Sequence, residues 1–98
     1  MEVLQILGKD SLTLKVKGRL DTNSAPELER EISDSVLGIS KLIIDLAELQ
    51  YISSAGLRVL LAAQKTMNKQ GSMIVKNVSD SIMEVFEITG FSDILNIE

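Results

Sequence analysis

Two adjacent hydroxyls, Ser53 and Ser54, stand where a short polar turn runs into an amphipathic pattern, inside the stretch Leu46 to Leu61 (LAELQYISSAGLRVLL). Small residues follow, Ala55 and Gly56, and then Leu57 and the cation Arg58, with no acid in these opening turns. A helix N-terminus carries partial positive charge and free backbone N–H groups, so an uncompensated one seats an anion. A phosphate esterified to Ser54 would bring about −1.5 to −2 charges to that point. The same spacing also suits a plain structural role, with Ser54 as the N-cap and Ala55-Gly56 as close packing. On spacing alone the cap is the commoner use of such a serine. Gly56 gives up helix propensity and lets another backbone approach Ser54.

Catalytic uses of these hydroxyls lack partners. The chain has no histidine to act as base and no cysteine, and its glycines do not form a G-x-S-x-G elbow. No phosphate-binding glycine loop, zinc-ligand set or D-x-D-x-D-G calcium loop occurs, so neither cofactor nor metal is expected. Asp10, Asp34, Asp45 and Asp80 read as solvated surface, caps or turns, leaving Asp21 as the carboxylate of interest.

The elements that must position the serines follow from periodicity. Lys41 to Leu46 reads as a buried strand and Ser54 to Gln70 as a helix closed by Gly71, with Leu57, Leu60, Leu61 and Met67 inward. Arg58, Val59, Ala62, Thr66 and Lys69 fall opposite that stripe, a face suited to a partner. Upstream, Val3–Leu7 and Leu12–Val16 form an edge hairpin, the second strand alternating Leu12, Leu14, Val16 with Thr13, Lys15, Lys17. Ser24 and Glu27 have capping-box spacing ahead of a helix whose inward residues are Ala25, Leu28, Ile32 and Val36 or Leu37. Ser72–Val78 is a further strand. Ser79 or Asp80 caps a third helix, with Ile82, Val85 and Phe86 inward and Gly90 at its end; the tail is a final strand or turn. The order β-β-α-β-α-β-α predicts a small α/β domain over 1–98, with a mixed, mostly parallel sheet of four to five strands packed with helices.

A chain of 98 residues with 45% hydrophobic and 24% charged content suits one soluble domain. Net charge −4 and three aromatics argue against nucleic acid as partner. No apolar run approaches the roughly 18 residues of a membrane span, and no signal-peptide pattern follows Met1, so a cytoplasmic protein without membrane contact is expected.

With these residues in view, a family resemblance emerges. Ile43-Ile44-Asp45-Leu46 followed by Leu49-x-Tyr51-Ile52-Ser53-Ser54-Ala55-Gly56-Leu57 resembles the signature of the STAS domain in bacterial anti-sigma factor antagonists. That signature runs D-L-S-x-[LV]-x-[FY]-[IM]-D-S-[SA]-G-L, with the serine after the aspartate phosphorylated. Gly18-Arg19-Leu20-Asp21 with Ala25 and Leu28 resembles the family's G-x-L-D-x-x-x-A-x-x-L block. Val85-Phe86-Glu87-Ile88-Thr89-Gly90-Phe91 resembles its L-x-[LI]-T-G-[LF] block. Ser53 stands where many members carry aspartate, and Ala47 replaces a frequent serine.

The resemblance implies a switch without catalysis of its own. The unphosphorylated antagonist would bind an anti-sigma factor with serine kinase activity and so free a sigma factor. The kinase would switch it off by phosphorylating Ser54, and a PP2C-type phosphatase would reverse this. Asp21, Thr22 and Asn23, with Ser53, Ala55, Gly56, Arg58 and Val59, would form the docking surface. Two other uses stay open: an unphosphorylated STAS subunit of a scaffold or transport assembly, and a hydrolase using Ser54.

Overall fold

Alternation along one strand decides which side of the sheet is the core. In the computed structural model, which describes all 98 residues, Leu12, Leu14 and Val16 are buried, while Lys15 and Lys17 between them are exposed. They lie on β2 (Ser11–Leu20), which pairs antiparallel with β1 (Glu2–Leu7) as the predicted hairpin and parallel with β3 (Lys41–Asp45). β3 pairs parallel with β5 (Ser72–Lys76). Register then stacks Leu12, Leu42 and Met73 in one buried row and Leu14, Ile44 and Val75 in the next.

Three helices cover those rows: α1 (Ala25–Ser35), α2 (Ser54–Gln70) and α3 (Asp80–Thr89). Their inward residues include Leu28 and Ile32, then Leu57, Leu60 and Met67, then Ile82 and Phe86, all in one hydrophobic cluster. Burying each large aliphatic or aromatic side chain contributes about 1.5–3 kcal/mol, so the two rows and their helical cover hold the domain together. No helix is long and apolar enough to cross a membrane.

The sheet has five strands, and one of them was not expected. Residues read as a loop before α2 form β4 (Leu49–Ile52), parallel to the far end of β2. The element order is therefore β-β-α-β-β-α-β-α. β2 shifts register between Gly18 and Arg19, where Gly18 takes φ +97, so β2 bends from β3 onto β4. Only glycine adopts that φ without strain. The strand escaped recognition because Leu49 and Ile52 are buried with Gln50 and Tyr51 exposed between them, a spacing of three rather than two.

Further details resolve or correct the expected boundaries. Val36, not Leu37, completes the inward stripe after α1; Leu37 is 93% exposed. The Ser24–Glu27 capping box does not form, since Ser24 is already in helical conformation and its hydroxyl caps no helical N–H. Ser79 caps α3, accepting the Ile82 N–H at 3.3 Å, and Gly90 ends it at φ +81. The tail makes a 3-10 turn at Phe91–Asp93 and then a parallel bridge from Ile97 to Val75.

Candidate functional site

The start of α2 is fastened to the end of β2. Ser53 is extended (φ −98, ψ 175) and donates its N–H to the Leu20 carbonyl at 2.9 Å. Its hydroxyl accepts the Gly56 N–H at 3.4 Å and its carbonyl accepts the Leu57 N–H at 3.0 Å. Ser53 is therefore the N-cap, a role the sequence pattern assigned to Ser54. Ser54 is the first residue of the helix, exposed, with a hydroxyl that bonds to nothing within the chain. One serine is committed to the backbone and half-buried; the other is free and faces solvent.

Gly56 is buried and belongs to the scaffold. A Cβ there would lie 2.7 Å from Leu20 Cγ and 2.9 Å from Ile52 Cγ1. The missing side chain lets α2 seat directly on β2 and β4 rather than admitting an outside backbone. Val59 is likewise not on the outer face. It is 5% exposed, because α1 covers that flank of α2. Arg58 and Ala62 remain exposed, and with Thr22, Ala55 and the buried Val59 they line a shallow cleft between α1 and α2. Thr22 and Arg58 thus line the same cleft.

The loop between β2 and α1 is built on Asp21. Its Oδ1 accepts the N–H groups of Asn23 and Ser24, each at 3.0 Å. Ser24 Oγ accepts the Asp21 N–H at 2.9 Å and donates to the Arg19 carbonyl at 2.7 Å. This network is why the Ser24 hydroxyl is not free to cap α1. It also holds the Asp21 carboxyl below its ordinary range, first through the Ser24 N–H, then through the Asn23 N–H and the Arg19 charge, against partial desolvation. Thr22 and Asn23 project into solvent from this turn.

Two features of the region lay outside the sequence reading. The Arg19 guanidinium sits 4.2 Å above the Tyr51 ring, a cation–π pair across β2 and β4. It depends on the pairing of Arg19 with Tyr51 across β2 and β4, and β4 carried no strand-like alternation in the sequence. Asp45, one of the carboxylates expected at surface, caps or turns, serves a turn and is 6% exposed. Its Oδ1 accepts the Ala47 N–H at 3.0 Å and the Asn77 amide at 3.1 Å, tying together the turns that follow β3 and β5. Asn77 stands at φ +58, a conformation asparagine tolerates better than most residues.

Electrostatically the helices differ at their first turns. Glu27 opens α1 and Asp80 opens α3, but α2 has no acid there. The positive end of α2 thus has no compensating acid in its first turn. What the arrangement offers is an exposed hydroxyl, an uncompensated helix terminus, and a rigid acidic turn on the adjoining loop.

Residues 3–98 match the model of the STAS domain family. The chain is 36% identical over 92 residues to the anti-sigma-B factor antagonist of Listeria monocytogenes, covering 91% of this chain and 80% of that one. Its fold is similar to that of an anti-sigma factor antagonist from Mycobacterium paratuberculosis: TM-score 0.89, 24% identity, 98% of this chain and 83% of the other. It is also similar to the anti-sigma factor antagonist SpoIIAA of Bacillus at 17% identity in two forms. The unphosphorylated form gives a TM-score of 0.84 over 99% of this chain and 88% of that one. The phosphorylated form gives 0.77 over 99% and 91%.

Proposed function

The chain belongs to the STAS-domain family, and from that premise we propose that it is an anti-sigma factor antagonist switched by phosphorylation of Ser54. The observation that carries this reading is the division of labour between the serines. Ser53 caps α2 and is held by Leu20, while Ser54 presents an unbonded, exposed hydroxyl at a helix start without acids.

In the unmodified state the neutral hydroxyl, Ala55, Arg58 and the Asp21-Thr22-Asn23 turn dock against an anti-sigma factor with serine kinase activity. A sigma factor is thereby set free. The kinase transfers the γ-phosphoryl group of ATP: the Ser54 Oγ–P bond forms, the bond to ADP breaks, and the hydroxyl proton leaves to solvent. The phosphate is stabilised by its own helix terminus, by roughly 0.3–1 kcal/mol for an exposed charge. At the interface the same charge meets surface that had accepted a neutral group, and binding is lost. A PP2C-type phosphatase hydrolyses the ester and restores the docking state. Gly56 and Val59 support this surface from beneath rather than touching the partner.

Incubation with the cognate kinase-type anti-sigma factor and ATP tests the site. The expected result is one added phosphate, mapped to Ser54 and absent in Ser54→Ala; phosphate on Ser53 refutes the assignment. For the alternative, a permanently unphosphorylated scaffold or transport subunit with Val59 and Ala62 in its interface, α1 covers Val59 and leaves Ala62 exposed.

A further inference from the structure

The free edge of β1 carries features of a self-pairing surface. β1 is the terminal strand of the sheet, bonded to β2 on one side only. The hairpin is closed by the Gly8 N–H donating to the Ser11 carbonyl at 2.8 Å, and the register from there to Glu2 is unbroken. In an antiparallel pair, backbone groups alternate between facing the partner strand and facing away. Counting back from Gly8, the groups of Ile6, Leu4 and Glu2 face β2. Those of Val3, Gln5 and Leu7 face the open edge. Nothing in the strand guards them: it has no proline, no lysine and no bulge. Three large apolar side chains stand exposed on it, Leu4 at 59%, Ile6 at 46% and Leu7 at 69%.

We propose that this edge joins a second copy of the chain, β1 to β1 antiparallel about a two-fold axis at Gln5, forming one sheet across two molecules. The register commits to that occupant. Gln5 opposite its counterpart and Val3 opposite the second copy's Leu7 bring all the open-edge N–H and C=O groups into bonded pairs. On the other sheet face, Leu4 lies beside the second copy's Ile6, so the exposed apolar side chains cover each other. Charge fits as well. Glu2, the only charged residue of β1, falls opposite Gly8 and next to Lys9 of the second copy, once at each end of the interface.

The test uses the 98-residue chain itself, by sedimentation and amide hydrogen exchange over a concentration series up to about 1 mM, the weak limit of measurable association. The expected result is a two-chain mass at high concentration, with protection of the Val3, Gln5 and Leu7 amides rising in step. The Leu4 and Ile6 amides are protected throughout. Leu4→Lys, which places a lysine on the edge without touching the core, gives one chain with unchanged circular dichroism. Glu2→Lys weakens association by about tenfold, and adding Lys9→Glu restores it. A single chain at every concentration overturns the proposal. So does a dimer that is indifferent to these substitutions, or edge protection that appears only with an added foreign peptide.

Discussion

Ser53 donates its N–H to the Leu20 carbonyl at 2.9 Å, and this one bond sets the start of α2 beside the end of β2. Because Asp21 follows Leu20 and Ser54 follows Ser53, the acidic turn and the free hydroxyl are carried by residues adjacent to the same bond. The proposed docking surface is thus built by sheet geometry rather than by flexible loops.

The cap is separable from the proposed acceptor. Ser53→Ala removes the Gly56 bond and should cost about 0.5–1 kcal/mol in urea unfolding, the lower part of the range for lost caps because the bond is long. Phosphate transfer to Ser54 should persist. Loss of modification in this variant with α2 intact by NMR would show that the kinase reads Ser53 itself.

Gly56→Ala pits propensity against packing. Alanine gains about 1 kcal/mol of helix propensity over glycine. The added carbon, however, meets Leu20 Cγ at 2.7 Å and Ile52 Cγ1 at 2.9 Å. Overpacking of about 1–3 kcal/mol should win, giving net destabilisation by thermal unfolding and a weaker hold on the partner through a displaced helix start. A stabilised variant would mean that α2 does not seat on β2 as described.

Asp21 predicts the pH response of its turn. Its folded pKa lies below the ordinary 3.8, so its stabilising contribution is present above the unfolded value and is lost as pH falls through the folded one. The Asn23 and Ser24 amide resonances should hold steady from neutral pH down to about 4, then shift together with the Asp21 carboxyl carbon. A transition near pH 5 or 6 would contradict the bonding described.

The Arg19–Tyr51 pair should couple by about 0.5–1 kcal/mol, the range for exposed cation–π contacts. A double-mutant cycle with Arg19→Ala and Tyr51→Leu measures it. Additive effects would leave the 4.2 Å stacking without energetic weight.

How much of this was legible beforehand depends on how far each signal reaches along the chain. Leu12, Leu14 and Val16 announce their strand because alternation is local, and Ser79 and Gly90 bound their helix for the same reason. β4 stayed hidden because it leans on a bend at Gly18 and buries Leu49 and Ile52 out of strand phase. The identity of the α2 cap turned on a single residue, a distance that spacing does not resolve. Val59 differs from Arg58 in exposure only because α1 packs on one flank of α2, which periodicity within α2 does not contain. Ser24 had capping-box spacing, yet Arg19 and Asp21 had prior claim on its hydroxyl.

The central claim is that charge at Ser54 decides whether the partner binds. Titration calorimetry of the cognate anti-sigma factor against the chain, unmodified and carrying phosphoserine at 54, tests it most directly. The expected result is a loss of roughly a hundredfold in affinity, the scale of a like-charge clash at an interface, with Ser54→Ala binding as tightly as the unmodified chain. Equal affinity for the phosphorylated and unmodified chains would contradict the account.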